Sequence, residues 1–321
     1  MKFKTESYTL PSSDGISTLH GTAVVPDAPW ILLCISHGMA EHIHRYRPFM
    51  EILAQNGVLV FGHDHAGHGR STTKESKLGC LPFPNGADVL INDVCSEIRR
   101  FHTWYPSLPL FLFGHSMGSF IARSAVTAQP SLPLKGLILM GSASGNPASS
   151  IAKLMLHIAC RLRGEDAQSP LMQRLMFGTY NERTSRRTEY DWLSTDRAAV
   201  DAYVADPLCG YHFPVSGLYA LTDLLQRANT PSLISKTPND LPILFLSGME
   251  DPVGGYGNGI HWCADAYAAA GCTCVRHTLY TGARHELLNE PIANEVISDL
   301  FGWICHTCGE ERSPLVSDAS R

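Results

Sequence analysis

Short apolar runs rich in branched residues alternate along this chain with segments of helical period, and this alternation limits the fold more than any other feature. Each run is bounded by glycine, proline or aspartate, as buried strands are. The runs are WILLCIS (30–36), VLVFGHD (58–64), LPLFLFG (108–114), LKGLILMG (134–141), LPILFLSG (241–248) and TCVRHTLYTG (273–282). Strands separated by helices form βαβ units. The sequence therefore predicts an α/β fold with a mostly parallel central sheet flanked by helices.

The ends of the chain and one long interior segment depart from this alternation. FKTESYTL and LHGTAVV alternate polar and apolar residues, which indicates an antiparallel pair at the sheet edge. Between Ser142 and Pro238 there are only helical patterns and polar connections. In this segment SIAKLMLHIACRLRG forms one apolar helical stripe, made of Ile151, Leu154, Met155, Ile158, Ala159 and Leu162. We expect a core in two parts, 1–141 and 238–305, a helical cap at 142–237 and a polar tail at 306–321.

The residues GHSMG, 114–118, match the pattern G-x-S-x-G. A predicted strand ends at the first glycine and a predicted helix, 117–128, begins after the serine. In this context the serine stands exposed on a sharp turn, and the glycines let neighbouring backbone approach without a Cβ clash. The N–H of Met117, at the helix N-terminus, then faces a developing oxyanion. We interpret Ser116 as a nucleophile; a packing turn without chemistry is the alternative.

A serine nucleophile requires a base and a group that orients the base, and this type of turn predicts the chain order serine, acid, histidine. Asp251 directly follows a predicted strand, and its neighbour Glu250 is the alternative acid. The Asp251-Pro252 sequence suits a fixed turn. His285 follows a strand end at the carboxyl edge of the sheet. The other downstream histidines do not have this placement: His157, His212, His261, His277 and His306.

The loop after the first buried strand, ISHGMAEH (35–42), supplies a second oxyanion donor. The strand ends at His37-Gly38, and the glycine frees the backbone so that the N–H of Met39 can point into the site. An ordinary glycine turn is the alternative reading of this loop.

A histidine-rich segment, HDHAGHG (63–69), offers a rival metal site. His63, His65 and His68 have the spacing of an HxHxDH motif, but Gly67 stands where the motif has aspartate. The two glycines instead indicate a tight turn in which Asp64 binds loop backbone. The lone CxxC of Cys305 and Cys308 lacks a second pair. We expect no metal and no cofactor.

The net charge, the apolar segments and the cysteines bear on which class of protein this is. The net charge of −5 is mild and gives no reason to expect nucleic-acid binding, which would require a clustered basic face. The N-terminus has no apolar segment of a signal peptide, and no run approaches the length of a membrane span. The ten cysteines lack a disulfide framework. We expect reduced thiols and a cytoplasmic protein.

Five separated motifs together resemble one known family. They are SHGMAEHIHRYRP, FGHDHAGHGRS, LFGHSMGSF, SGMEDPV and YTGARHELLNE. In this order they are similar to the monoacylglycerol lipase and lysophospholipase group of α/β-hydrolases, also described as serine-aminopeptidase-like. The resemblance covers residues 20–141 and 238–305 and implies the α/β-hydrolase fold, with the cap between two halves of the core.

The resemblance also implies roles for particular residues. Ser116 would be the nucleophile, with Asp251 and His285 as its partners. The N–H groups of Met39 and Met117 would form the oxyanion hole. The family's E-H-x-x-R-Y stretch is matched by Glu41, His42, Arg45 and Tyr46, which would shape the loop beside Gly38.

The chain departs from the family in two places. Ser119 replaces the second glycine of GHSMGG, a change that bears on packing behind the turn. The insertion does not follow the lid of the animal monoacylglycerol lipases, although RRTEYDWLSTDRAAVDAYVADPLCG resembles the cap of bacterial lysophospholipases. We expect substrate specificity to lie in that cap.

We expect a serine hydrolase that cleaves carboxylic esters of lipid type through an acyl-enzyme. A peptidase or thioesterase with the same triad remains an alternative, and so does a non-catalytic ligand-binding member of the fold. Residues 151–187 carry an excess of basic over acidic side chains. This excess suggests contact with an anionic head group or a membrane surface, or else an ordinary solvated face.

Overall fold

A computed structural model describes residues 1–72 and 78–310 and contains one eight-stranded sheet. The strands are β1 (Phe3–Pro11), β2 (Thr18–Pro26), β3 (Ile31–Ser36), β4 (Val58–His63), β5 (Leu110–His115), β6 (Gly136–Met140), β7 (Ile243–Gly248) and β8 (Val275–Tyr280). Their order across the sheet is β1-β2-β4-β3-β5-β6-β7-β8. The β1–β2 and β2–β4 pairs are antiparallel and all other pairs are parallel. The predicted α/β class is confirmed.

Helices connect the strands and cover both faces of the sheet. They are α1 (Arg47–Gln55), α2 (Gly86–Trp104), α3 (Met117–Ala128), α4 (Ser149–Arg163), α5 (Pro170–Phe177), α6 (Arg197–Ala205), α7 (Val215–Asn229), α8 (Pro231–Ile234), α9 (Asn258–Ala269) and α10 (Ala293–Cys308). Helix α10 extends beyond 306, where the sequence predicted the polar tail to begin. Residues 311–321 of that predicted tail lie outside the described residues.

The sheet lies between two apolar layers because alternate residues of a strand point to opposite faces. In β3, Leu32 and Cys34 pack in the cluster that includes residues of α2, α3 and α7. Leu33 and Ile35 pack on the other face with residues of α1 and α10. Every residue of β3, β4, β5 and β7 is buried, which explains their uninterrupted apolar sequences.

The last strand differs from its predicted environment. TCVRHTLYTG suggested a buried strand, but β8 is the edge strand of the sheet, and Arg276 and His277 on it are exposed. An edge strand has a neighbour on one side only, and charged residues on it discourage pairing with another chain.

Five helices and no strand occupy the chain between β6 and β7, a segment that the structure describes throughout. We propose that residues 142–237 form a cap over the core, and call them the cap below. The apolar stripe predicted on α4 does not face the core. Helix α4 buries Leu156 and Cys160 instead, and Leu162 of the stripe is 80% exposed.

One buried arginine of the core bonds to two distant segments of the cap, one just after β6 and one at the end of α7. Arg123 on α3 is fully buried. Its guanidinium donates to the carbonyl oxygen of Ala143, 3.0 Å away, just after β6. It also donates to Asn229 Oδ1, 2.9 Å away, at the end of α7. A buried guanidinium must have its donors satisfied. Arg123 therefore holds the start of the cap at Ala143 and the end of α7 at Asn229 against the core.

The histidine-rich loop after β4 is arranged as a turn. Asp64 Oδ1 accepts the backbone N–H of Ile43, and Asp64 Oδ2 accepts that of Arg70, both at 2.8 Å. His63 Nδ1 lies 2.9 Å from Glu97 Oε2. The aspartate therefore binds loop backbone, as the two glycines indicated.

Three other histidines of this region are buried in one cluster. The rings of His37 and His65 lie 4.2 Å apart between centroids, and those of His37 and His68 5.3 Å. Burial lowers the pKa of His37 to about 4 and that of His68 to about 3. These imidazoles are therefore neutral at neutral pH.

The low pKa of His68 predicts a specific acid sensitivity. The unfolded chain takes up a proton on this residue near pH 6.5 and the folded chain does so only near pH 3, so stability falls as the pH drops between these values. Between pH 7 and pH 5 the unfolding free energy of the wild-type protein should fall. In His68→Gln this fall should be smaller by about 2 kcal/mol. Urea titrations at several pH values measure it. His306→Gln, at an exposed position of α10, should change nothing, and parallel curves for all three proteins would contradict the prediction.

Candidate active site

The turn between β5 and α3 holds Ser116 in a strained backbone conformation with φ +53°. The flanking glycines are required sterically. A Cβ on Gly114 would lie 2.4 Å from the carbonyl oxygen of Gly118, and a Cβ on Gly118 would lie 1.9 Å from that of Ser36. Strain of this kind persists only where the surroundings impose it. The turn thus presents Ser116 at the carboxyl end of a central strand, directly before a helix N-terminus.

Ser119, where the resembling family has glycine, is accommodated behind this turn. It is fully buried. Its hydroxyl donates to the carbonyl oxygen of Ser116 at 2.6 Å and lies 2.9 Å from Ser142 Oγ. The replacement thus adds a polar link between the turn and the start of the cap.

His285 and Asp251 form a buried pair at the same edge of the sheet. His285 Nδ1 lies 3.0 Å from Asp251 Oδ2. Asp251 Oδ1 accepts the backbone N–H of Val253 at 2.8 Å, which fixes the carboxylate. Glu250, the alternative acid, is exposed. The geometry therefore pairs His285 with Asp251.

The loop after β3 lies against the serine, since a Cβ on Gly38 would be 3.2 Å from Ser116 Cβ. His37 fixes the peptide between Gly38 and Met39. The backbone N–H of His65 donates to His37 Nε2 at 3.0 Å, so the ring proton is on Nδ1, which lies 2.8 Å from the carbonyl oxygen of Gly38. The N–H of Met39 belongs to this same peptide and points the opposite way from that carbonyl.

A buried carboxylate holds the other side of Gly38. Glu41 Oε1 accepts the N–H of Gly38 at 2.5 Å and the hydroxyl of Tyr46 at 2.7 Å. Burial alone would raise the pKa of Glu41, but the hydrogen bond from His115 and the charge of Arg45 hold it well below its ordinary value. Burial lowers the pKa of His115, but its hydrogen bond with Glu41 and the charges of Glu41 and Glu286 together outweigh burial and raise it.

Arg45 connects this loop to the loop of His285. Its guanidinium contacts Glu41 Oε2 at 2.6 Å and forms two parallel hydrogen bonds, each 2.7 Å, with the carboxylate of Glu286. Glu286 directly follows His285. Bidentate pairing of this kind fixes orientation as well as distance.

A cavity of about 690 Å³ opens above these residues, between core and cap. Gly38, Ser116 and His285 line its floor. Its walls are mainly apolar side chains of the cap, namely Ile151, Met155, Met172, Leu175, Met176, Phe177, Leu221 and Leu225. The ring of Trp192, also from the cap, packs 5.0 Å from that of His285.

The structure brings most of the predicted site residues together, and it adds several that the sequence did not indicate. Met117 is the first residue of α3. His42 turns away from the floor, and its Nε2 lies 2.8 Å from Asp206 Oδ2 in the cap. His115 and Glu286 are additions to the site; each adjoins a predicted catalytic residue in sequence. Trp192 lies in the cap, where no motif marked it.

One group of possible metal ligands lies beside the site. In the described part of the chain, ligand atoms of His42, Asp206 and Cys209 lie within 4.8 Å of one another. The 2.8 Å between His42 Nε2 and Asp206 Oδ2 is a hydrogen-bond distance. Two ligands of a tetrahedral zinc ion lie about 3.3 Å apart, given bonds of about 2.0 Å. We interpret the group as a hydrogen-bonded histidine and aspartate with a neighbouring thiol.

Comparison with known proteins identifies the family. The serine aminopeptidase, S33 family matches residues 27–292. The chain is 28% identical to the monoglyceride lipase of Rattus norvegicus over 283 residues, which is 87% of this chain and 83% of the relative. It is 26% identical over 290 residues to the monoacylglycerol lipase of Mycolicibacterium smegmatis, covering 87% of this chain and 90% of that protein.

A solved structure of an esterase has the same fold as this chain. A thermostable carboxyl esterase from Bacillus coagulans, crystallised with glycerol, superposes with a TM-score of 0.88 at 27% identity over 95% of this chain and 99% of the esterase. The resemblance inferred from the five motifs is confirmed. The chain belongs to the serine aminopeptidase, S33 family of α/β-hydrolases.

Proposed function

We propose that this protein hydrolyses monoacylglycerols or closely related single-chain lipid esters through an acyl-enzyme on Ser116. The protein is a carboxylic ester hydrolase, as its family relatives and structural neighbours are. The proposed preference for single-chain lipid esters rests on the apolar cavity above Ser116 and His285. Its volume holds one long acyl chain, and its apolar walls would take that chain out of water.

The arrangement supports a two-step reaction. In the first step Ser116 Oγ attacks the ester carbonyl while His285 Nε2 accepts the hydroxyl proton, and Asp251 stabilises the resulting imidazolium through Nδ1–H. His285 then gives the proton to the leaving alcohol as its C–O bond breaks. In the second step His285 takes a proton from water, whose oxygen attacks the acyl carbon, and returns the proton to Ser116 as the acid leaves.

The oxyanion formed in both steps would be bound by two backbone N–H groups. That of Met117 lies at the start of α3, where the helix dipole favours negative charge. That of Met39 is directed by the hydrogen bonds of His37 and Glu41. Donors fixed before the reaction lower its barrier because they do not reorganise as charge develops.

A peptidase or thioesterase would use the same groups, and the family's name includes aminopeptidases. An aminopeptidase must bind a charged amino terminus, which requires acidic side chains beside the scissile bond. Glu41 and Glu286 line the cavity but are both paired with Arg45. The site therefore favours a neutral lipid ester over a charged peptide end.

The nucleophile can be tested by covalent labelling. A fluorophosphonate probe should label the wild-type protein, and Ser116→Ala should abolish labelling and lower hydrolysis of p-nitrophenyl butyrate by at least 10³-fold. Ser119→Ala, which changes the neighbouring serine, should retain labelling. Equal labelling of Ser116→Ala and wild type would contradict the assignment.

The substrate class can be tested with a panel of purified substrates. We expect monoacylglycerols to have the highest kcat/KM, followed by lysophospholipids and short-chain esters. The apolar walls of the cavity bury a long acyl chain and would bind it more tightly than a short one. Amino-acid nitroanilides and acyl thioesters test the alternatives. Faster cleavage of either than of any ester would overturn the lipid assignment.

The exposed face of α4 and α5 supports contact with a lipid surface. Large apolar side chains there are 42–80% exposed, namely Ile151, Leu154, Met155, Ile158, Leu162, Leu171 and Leu175. A patch of this kind is uncommon on a protein surface without a partner. Ile151, Met155 and Leu175 also line the cavity, so the patch is continuous with it. No helix in the described ranges has the length and apolarity to cross a bilayer.

We therefore propose that the protein rests on a membrane through this patch and takes its substrate from the bilayer. Exposed basic side chains border the patch, among them Arg161, Arg163 and Arg174. They would face anionic head groups while the leucines enter the acyl region.

Charge placed on the patch should separate membrane binding from catalysis. Leu154→Glu with Leu162→Glu, at positions outside the cavity lining, should abolish co-sedimentation with vesicles that contain anionic lipid. Hydrolysis of soluble p-nitrophenyl butyrate should stay within twofold of wild type. Ile16→Glu, 78% exposed on the β1–β2 turn, is the control and should bind vesicles normally. Undiminished sedimentation of the double variant would contradict the proposal.

A further inference from the structure

The loop that carries Met39 is held by the cap as well as by the core. Ala40, the next residue, has φ +52°, a left-handed conformation that is strained for an L-residue with a Cβ. Such strain must be balanced by contacts that hold the residue in place. The contacts of Gly38 all come from the core, so they do not account for Ala40.

Two donors of the cap converge on the carbonyl oxygen of Ala40. The hydroxyl of Tyr203, on α6, donates to it at 2.9 Å. The backbone N–H of Gly210, in the α6–α7 connection, donates to it at 3.0 Å. A carbonyl oxygen has two lone pairs, and here both are occupied by the cap.

These two donors are themselves fixed. Tyr203 is buried, its ring packs 5.1 Å from that of Tyr190, and the hydroxyl of Tyr190 donates to the carbonyl oxygen of Gly210. The guanidinium of Arg45 lies 4.8 Å over the ring of Tyr203. We call Tyr203 and the N–H of Gly210, which together hold the carbonyl of Ala40, the clamp. The clamp joins the cap to the same arginine that links Glu41 and Glu286.

We propose that Tyr203 is a positioning residue for the oxyanion hole. Its hydroxyl holds the carbonyl group of Ala40 and thereby the left-handed conformation of that residue. Ala40 fixed in this way holds the backbone of Met39, one residue earlier, so that the N–H of Met39 stays directed at the oxyanion. The cap thereby takes part in transition-state stabilisation for every ester, including esters too short to fill the cavity. This inference rests on the proposed function of Ser116 and Met39.

The test is Tyr203→Phe, which removes the hydroxyl and keeps the ring. With p-nitrophenyl butyrate, kcat should fall about 10-fold, a part of the 10²–10³-fold loss that follows removal of a whole oxyanion donor. KM should stay within twofold, since ground-state binding is unaffected. Titration of active sites with the fluorophosphonate corrects for any unfolded protein. Tyr219→Phe, which removes a cap hydroxyl outside the clamp, should match wild type.

A second readout separates positioning from a general structural defect. Sulfur in a thionoester is a poor acceptor for oxyanion-hole donors, so an intact hole prefers the ester strongly over its thiono analogue. Tyr203→Phe should reduce this preference about 10-fold. The ratio does not depend on the amount of folded enzyme. An unchanged ratio would overturn the proposal, and so would an unchanged kcat.

A third measurement tests the role of Ala40. Glycine adopts the left-handed conformation without cost, so Tyr203→Phe should lower kcat less in an Ala40→Gly background than in the wild-type background. A loss that is no smaller would overturn the proposal. If Ser116→Ala keeps full activity, the proposed function itself fails. If Ser116 is required and Tyr203→Phe behaves as wild type, only the present inference fails.

Discussion

The charge of Arg45 holds together the two loops on which the site depends. Two buried carboxylates, Glu41 and Glu286, face it from opposite loops, and each would be costly to bury without a partner. Glu41 fixes the backbone beside Met39. Glu286 directly follows His285, and its two hydrogen bonds with Arg45 hold that loop. One guanidinium thus links the loop of Met39, the proposed oxyanion donor, to the loop of His285, the proposed base. Loss of either carboxylate would therefore release its own loop from the guanidinium while the other pair remains.

The parts of this arrangement that the sequence predicted are those with a local cause. The two glycines around Ser116 follow from the closeness of neighbouring backbone, and the parallel sheet follows from strands that are apolar on both faces. The sequence predicts Asp251 and His285 because both follow strand ends, and they lie in contact. It predicts the loop proposed to bind the oxyanion because a glycine follows the first buried strand.

The rest depends on contacts between distant segments, which periodicity does not encode. The stripe on α4 was recognised as one face, but a helical period does not say whether that face meets the core or solvent. Likewise β8 is apolar enough for an interior strand and lies at the edge, because strand order is set by the connections. Tyr203 and Trp192 meet the site only through the fold of the cap, and no motif precedes them.

The contacts of the cap divide it into two functional halves. The segment from Tyr190 to Gly210 is bonded to both catalytic loops, through Ala40 on one side and through Glu286, whose backbone N–H donates to the carbonyl oxygen of Leu193 at 2.7 Å, on the other. Helices α4 and α5 instead line the cavity and expose apolar side chains. On the proposed function, changes on α4 and α5 would therefore alter the accepted acyl chain and leave the contacts with Ala40 and Glu286 intact. The segment around Tyr203 lacks that freedom, because a change there would also alter the hydrogen bonds to the carbonyl oxygen of Ala40.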